Sequence, residues 1–475
     1  MANWEMQNLI AGRLTDAPQR AEIHDKYSGE LIGSMPLATG KHWETAMTSA
    51  VRAFERFRDF SAERRAGILQ ALYDGISARE NEFIRLIVAE AGKPVGYARS
   101  EVRRALDNLS TGIRATLDYA GRMVPMDYLN GKGKTAYTLR IPYGPVLGIS
   151  PFNFPLNLAL HKIIPAVATG SPVLIKPAPQ TPLTMGLVAR ILADADVPEG
   201  LVQIVFGTNE QAERAVRDRR FAVLSFTGSD RVGWHLKNIS PARKVFLEMG
   251  GNAAAVVDDT AEVERAAKKL AYGSFLYAGQ ICISVQRIYV FRSVFDIFTE
   301  RFLAETARLQ TGDPTDEQTT AGPMISAKEM QRIDTWVKRA VKNGARLLAG
   351  GKILDASHNL YAPTVLTDVR PGMEVLDNEA FAPVVNILPV DDINAAIAQV
   401  NRSRYGLQAG LYSDSYQNIR RFIQGVETGG VIINDIPGFR IDGMPYGGVK
   451  DSGLGREGGR WALDEYTQPK LVVLS

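Results

Sequence analysis

The 475-residue sequence predicts an α/β protein with mostly parallel sheets and helices on both faces. Three observations predict it. After Pro142, short apolar runs alternate with helical stretches in β-α-β-α order. The composition, 45% hydrophobic and 23% charged, is that of an ordinary folded chain. A single cysteine excludes a disulfide scaffold. The 55 basic and 52 acidic side chains leave a net charge of +3, too even for nucleic acid to be the main partner. There is no basic, apolar leader and no run of about 18 apolar residues, so a cytoplasmic protein without a membrane span is expected.

The first third reads as helical and arginine-rich. Ala46, Ala50, Phe54 and Phe57 recur at helical spacing between Thr45 and Phe60. A second helix is expected from Ser61 to Ala91, with Leu69, Leu72, Ile76, Phe83 and Ile87 inward, stopping at Gly92 and Pro94. A third fills Gly96 to Ala120, and its Arg99, Arg103, Arg104 and Arg114 read as a solvated face. Strands follow at Pro145–Ser150, Ser171–Lys176, Leu201–Phe206, Phe221–Phe226 and Lys244–Glu248. Helices at Phe154–Thr169, Pro182–Asp194, Asn209–Asp218 and Asp230–Asn238 separate them. A second α/β set begins at Asn252–Val257, continues through helix Ala261–Phe275 and strand Gln286–Phe291, and ends at Gly430–Asn434. Gly133–Ile141 alternates like an edge strand, and so does the tail Lys470–Leu474. An apolar edge left unpaired is an aggregation hazard, so both are assigned to an oligomer interface.

Three residues carry candidate chemistry. Cys282 lies in a loop between a helix and a strand, where reactive groups on a rigid scaffold usually sit; a lone cysteine is otherwise an inert apolar residue. Glu248 ends a strand and is followed by Gly250 and Gly251, a setting for a ligand approaching the backbone. Asn153 follows a strand near the start of a helix. It can cap that helix or aim its amide at a developing oxyanion. Gly453-Leu-Gly455-Arg-Glu-Gly458 fits a dinucleotide fingerprint but lacks the strand before it and the βαβ after it, so we reject it.

The segments PFNFP, LIKPAPQTP, FTGS, LEMGGN, GQICIS, NEAFAPV and PYGGVKDSGLGRE, in this order, resemble the aldehyde dehydrogenase superfamily over essentially the whole chain. The resemblance implies the fold of that family: a Rossmann-like cofactor domain (1–122 and 143–250), an α/β catalytic domain (251–435), and a small β oligomerisation arm (123–142 and 455–475). It implies that Cys282 is the nucleophile, Glu248 the general base for thioester hydrolysis, and Asn153 an oxyanion-hole donor. The presence of Glu248 argues against the branch that releases its thioester to coenzyme A. It implies NAD or NADP as cofactor, held by Lys176 at the adenine-side ribose and by Phe226, Gly228 and Ser229 near the diphosphate. Glu379 and Phe381 belong to the nicotinamide ribose, Ile149, Ser150, Pro151 and Phe152 to the nicotinamide end, and Ala178 and Gly207 to the adenine side. Many relatives carry a Glu after the Lys-Pro-Ala step, which excludes a 2′-phosphate. Here the residue is Pro179, so neither cofactor is preferred. No metal site is assigned.

The family's substrate tunnel would be lined by Arg104, Phe154, Leu158, His161, Arg440 and Tyr446. Phe154, Leu158 and His161 fall on one helical stripe. Arg104 and Arg440 stand where relatives carry apolar residues. Two arginines and a histidine suit a phosphonate, sulfonate, phosphate or carboxylate tail. The plain alternative makes Arg104 a surface residue, Arg440 the partner of Asp442, and His161 a satisfied core histidine. Non-phosphorylating glyceraldehyde-3-phosphate dehydrogenases carry Arg just before the cysteine, and this chain has Ile281. The expected function is NAD(P)-dependent oxidation of a small, anionic-tailed aldehyde by a homodimer or homotetramer. The alternatives are a broad-range neutral aldehyde dehydrogenase, a thiol esterase, and a non-catalytic binding protein of the same fold. Arg287, five residues past Cys282, reads as structural.

Overall fold

Five parallel strands, Val146–Ile149, Val173–Lys176, Val202–Ile204, Val223–Thr227 and Lys244–Glu248, form the centre of an eight-stranded sheet in the computed structural model, which describes residues 4–475. The chain builds outward from Val146–Ile149 through the next two strands, then crosses back and adds the last two on the other side. The carboxyl ends of Ile149 and Thr227 therefore lie side by side where the strand order reverses. That crevice is where open α/β sheets bind ligands. The strands are buried along nearly all their length and read as continuous apolar runs, because helices cover both faces.

The sheet extends beyond its expected strands at both edges. Asn8–Ile10 and Arg13–Thr15 add antiparallel strands on one side. Gly453–Leu454 pairs antiparallel with Leu247 and Glu248 on the other. The rejected glycine motif is thus partly a strand, laid against the strand that ends in Glu248. The chain before Gly40 also contains Arg20–His24 paired with Leu31–Pro36, so the first third is not all helical. Strands of two to six residues acquire their hydrogen bonds from distant partners and leave little periodic signal.

The expected helix from Ser61 to Ala91 is two helices, Ala62–Ser77 and Glu80–Ala91. Arg79 leaves the helical region between them (φ −119°, ψ 23°), and Glu80 and Glu82 place negative charge in the new first turn. The break lets both halves pack on helix Val95–Asp118 and on helix Leu183–Asp194. Gly92 ends the second helix in the left-handed region, φ 65°.

A seven-stranded sheet holds Ala253–Val257, Val285–Phe291, Val384–Val390, Gln408–Tyr412 and Gly430–Ile433 in parallel, with Thr364–Thr367 and an antiparallel Arg346–Ala349 at one edge. Thr135–Pro142 pairs antiparallel with Thr467–Leu474 along eight residues, and Met123–Val124 completes a separate three-stranded sheet. Leu471, Val473, Leu474 and Met123 of that sheet are exposed. Among the described residues no helix is long and apolar enough to cross a membrane.

Candidate active site

Between the two large sheets lies a cleft of about 1020 Å³, walled by the carboxyl ends of the first sheet's strands and by loops of the second. Ile149, Ser150, Pro151 and Phe152 leave the first strand and line it. Phe226, Gly228 and Ser229 leave another strand at the reversal point and lead into helix Asp230–Ile239. A Cβ on Gly228 would stand 2.6 Å from the Phe226 ring, so a side chain here would displace that ring. Lys176 and Ala178 line the same wall, beside Pro179. Lys176 Nζ donates to Asn209 Oδ1 at 2.8 Å, and burial pulls its ammonium down to about 8. Glu379 and Phe381 face them from the second sheet, with Phe381 edge-on to Phe152 at 5.8 Å. Glu379 accepts from the Gly251 N–H at 3.0 Å, and burial pushes its carboxyl up to about 7. A Cβ on Gly250 would collide with that carboxylate.

Gly207 is not brought to this wall. A Cβ there would meet Gln211 Oε1 at 2.6 Å and the Trp43 indole, so its bareness serves the capping box of the next helix instead. Asn209 is a polar partner that the sequence did not single out. Its signal was its place at the start of a helix, after the strand that follows Lys176.

Cys282, Glu248 and Asn153 meet at the inner end of the cleft. Cys282 owes its position to an unusual turn. Helix Val263–Phe275 ends, and Tyr277, Ala278 and Gly279 then take three consecutive left-handed conformations, φ 53°, 52° and 67°. Such backbone persists only where the surroundings over-determine it. Tyr277 is fully buried and its hydroxyl donates to Ala91 O at 3.0 Å, while Gln280 Nε2 donates to Pro323 O and its Oε1 accepts from Ile325 N. Cys282 Sγ lies 3.0 Å from Tyr446 Oη. Burial pushes the thiol up to about 11, against the Tyr446 hydrogen bond and the Arg440 charge, so the resting group is the thiol.

Asn153 is not a helix cap. The helix starts at Asn157 with Leu156 at the cap, and Asn153 Nδ2 donates to Gln280 O at 3.0 Å. One N–H ties it to the cysteine loop and the second is free for another acceptor. Glu248 is buried at the end of its strand, and its Oε1 has no partner among the described residues. Burial and the nearby Glu457 charge hold its carboxyl well above the usual range, against Arg440 and Lys162. Glu457 itself, in the discarded glycine motif, is held below its usual range by His161, Lys162 and Arg440 despite its burial.

A second, narrow pocket of about 50 Å³ also has Cys282 in its wall. Arg104, Phe154, Leu158, Arg440 and Tyr446 line it, with Tyr97 and Asn157. His161 stands behind this wall, fully enclosed. The plain reading holds for His161, which is a satisfied core histidine, and for Arg440, which lies beside Asp442, but not for Arg104. Arg104 Nε and Nη2 grip Asp442 at 3.0 and 2.8 Å, and His161 Nε2 lies 2.8 Å from Asp442 Oδ1. Arg440 Nη2 donates to Glu457 Oε2 at 3.1 Å, and its Nε is 3.7 Å from Asp442. Yet Arg104 and Arg440 also face the pocket that ends at Cys282. Arg104 is thus no member of a solvated row. Arg287 is structural: its guanidinium donates to Asn252 O and Gln399 O across the second sheet.

A cleft at a Rossmann-like strand reversal, with a cysteine, an amide and a buried carboxyl at its end, is the arrangement of a dinucleotide-dependent aldehyde oxidoreductase. The Aldehyde dehydrogenase family model matches residues 14–472, and the chain belongs to that family. It is an NAD(P)-dependent aldehyde dehydrogenase with the fold of that family. It is 38% identical over 468 residues to 3-sulfolactaldehyde dehydrogenase of Priestia aryabhattai, covering 98% of this chain and 97% of that one. It superposes with TM-score 0.96 and 34% identity on aldehyde dehydrogenase 21 of Physcomitrella patens in complex with its product succinate, covering 100% of this chain and 99% of that one. It also superposes with TM-score 0.95 and 33% identity on NADP-dependent glyceraldehyde-3-phosphate dehydrogenase of Bacillus halodurans complexed with NADP, covering 100% of each chain. The cleft fits such a cofactor on its own terms: its volume is that of a large ligand site, and a bare glycine turn leads into a helix N-terminus there.

Proposed function

We propose that this enzyme oxidises a small aldehyde with an anionic tail to its carboxylate, with Cys282 as nucleophile. The observation that supports it most is that Arg104 and Arg440 face a pocket of only about 50 Å³ ending at Cys282. That volume has room for a few heavy atoms. The named substrate of the Priestia relative, a sulfonated lactaldehyde, is of this class.

Cys282 gives its proton to water in the cleft and Sγ bonds to the aldehyde carbon, leaving an alkoxide. The free N–H of Asn153 and the Cys282 backbone N–H stabilise that oxygen. Bound NAD(P)+ supplies the acceptor for the hydride that the carbon then loses. The acyl group stays on Cys282 as a thioester. Glu248 takes a proton from water, the water oxygen bonds to the thioester carbon, and the C–S bond breaks to return the Cys282 thiolate and release the carboxylate. Lys176 and Glu379 hold the two ends of the cofactor, on this reading, and Tyr446 donates to the thiolate. The single cysteine must stay a free thiol, which suits a reducing cytoplasm.

The test is steady-state kinetics on length-matched aldehydes with anionic and neutral tails. The anionic member is expected to show the higher kcat/KM. In Arg440→Ala that preference should fall about 10- to 100-fold, the value of a charge-assisted hydrogen bond. Equal use of neutral aldehydes by the parent enzyme would instead identify a broad-range aldehyde dehydrogenase.

We also propose the division into a cofactor domain (1–122 and 143–250), a catalytic domain (251–435) and an arm (123–142 with 455–475) that joins copies into a dimer or tetramer. The apolar side chains left exposed on the three-stranded sheet support it. Leu471→Asp combined with Val473→Asp is expected to lower the mass measured by analytical ultracentrifugation. An unchanged mass would remove the arm from the interface.

A further inference from the structure

Behind the wall of the substrate pocket lies an ion pair closed off from solvent. Lys93 and Glu101 are both buried, and the Lys93 ammonium donates to Glu101 Oε2. The other carboxylate oxygen, Oε1, accepts from the backbone N–H of Leu156 at 3.0 Å and of Asn157 at 3.2 Å. Those two amides open the helix that begins at Asn157, where a negative charge is favoured. The Lys93 ammonium sits among three rings: Nζ is 3.8 Å from the Phe154 centroid, 4.9 Å from that of Tyr277 and 5.3 Å from that of Tyr97. Burial pulls it down to about 8, against the pull of Glu101, so at pH 7 it carries its charge.

These partners belong to two separate arms of the site. Phe154, Leu156 and Asn157 follow closely on Asn153. Tyr277 belongs to the left-handed turn that leads to Cys282, and its hydroxyl donates to Ala91 O, two residues before Lys93. Resting on the reading of Asn153 as an oxyanion-hole donor, we propose that Lys93 and Glu101 are positioning residues, a buried clamp that fixes the Asn153 amide at its working distance from Cys282.

Two observations carry this. First, the clamp touches both arms. Glu101 ties the backbone three and four residues past Asn153, while Lys93 lies against the ring of Phe154, the very next residue, and against Tyr277, five residues before Cys282. Among the described residues the Asn153 side chain has one hydrogen-bond partner, Gln280 O, so the aim of its second N–H depends on where its backbone is held. A misplacement of about 1 Å in such a group can cost about 100-fold in rate. Second, stability gives no reason for charges here. Removing two charges from water costs about as much as their attraction returns, and apolar groups of the same size would fold as well. What a fully hydrogen-bonded buried pair does supply is rigidity.

The test measures the burst rate of cofactor reduction per active site at pH 7, with the better of 3-sulfolactaldehyde and lactaldehyde as substrate. Lys93→Met keeps the stem and removes the charge. Lys93→Met combined with Glu101→Gln removes both charges at nearly constant volume, and the glutamine oxygen can still accept from the helix. This double variant is expected to melt at or above the temperature of Lys93→Met alone. It should still lose about 10- to 100-fold in burst rate, with KM within about twofold of the parent value. Asn153→Ala alone should be slowed about 10²- to 10³-fold. Adding the double substitution to it should change the rate by less than about twofold, because the amide that the clamp positions is gone. A double variant with the parent burst rate overturns the proposal and leaves the role of Asn153 standing. So does a full further loss in the Asn153→Ala background, the mark of a merely structural role, and so does a double variant that fails to fold. If Asn153→Ala alone keeps the parent rate, the oxyanion reading itself fails.

Discussion

Cys282→Ala is expected to abolish aldehyde oxidation, lowering kcat/KM by at least about 10⁴, the range seen when a catalytic nucleophile is removed. The substitution deletes a sulfur whose one hydrogen-bond partner among the described residues is Tyr446, and leaves the turn that carries it intact. The residues assigned to hold the cofactor are untouched, so nucleotide affinity by calorimetric titration should stay within about twofold of the parent value. Appreciable oxidation by Cys282→Ala would remove the covalent pathway. Because burial pushes the resting thiol up to about 11, little thiolate exists at neutral pH without substrate or cofactor. Alkylation of the free enzyme by iodoacetamide should accordingly speed up steeply between pH 7 and pH 10 and quicken when NAD(P)+ is added.

Glu248→Gln has the second largest expected effect, and its signature differs. In the proposed mechanism the hydride step does not use the Glu248 carboxylate, so one equivalent of reduced cofactor per site should still form in a rapid burst. The steady state should then fall about 10²- to 10⁴-fold as the thioester waits for water. The change is nearly isosteric at a buried position whose Oε1 has no partner among the described residues, so little stability is at risk. The pH profile follows from the same carboxyl. A base works only when deprotonated, and burial together with Glu457 raises Glu248 above the ordinary carboxylate range. Where hydrolysis limits turnover, kcat should therefore rise with pH through that raised value, and the limb should vanish in Glu248→Gln. Loss of the burst along with the steady state would show that Glu248 acts before hydride transfer.

The parallel α/β order was legible because each strand and helix after Pro142 is a short local pattern of apolar residues. Asn153, Lys176, Ser229, Glu248 and Cys282 were legible for a related reason: each stands at the end of an element, where the chain can present a side chain to a cleft. The sequence by itself thus determined the order of the central strands and helices after Pro142, the family, and most of the residues that stand at the cleft. The tertiary structure alone decided the rest. The strand Asn8–Ile10 pairs with a segment some two hundred residues away, and nothing within three residues announces it. The break at Arg79 answers to two packing partners that arrive later in the chain. Arg104 finds its counter-charge 338 residues on, and the arginines that read as free cations stand beside Asp442 and Glu457. Net charge in a pocket, like the protonation of Glu248 and Cys282, depends on every group within a few ångströms and on how much water is excluded. Folding sets both, so neither is a property of any short stretch of sequence.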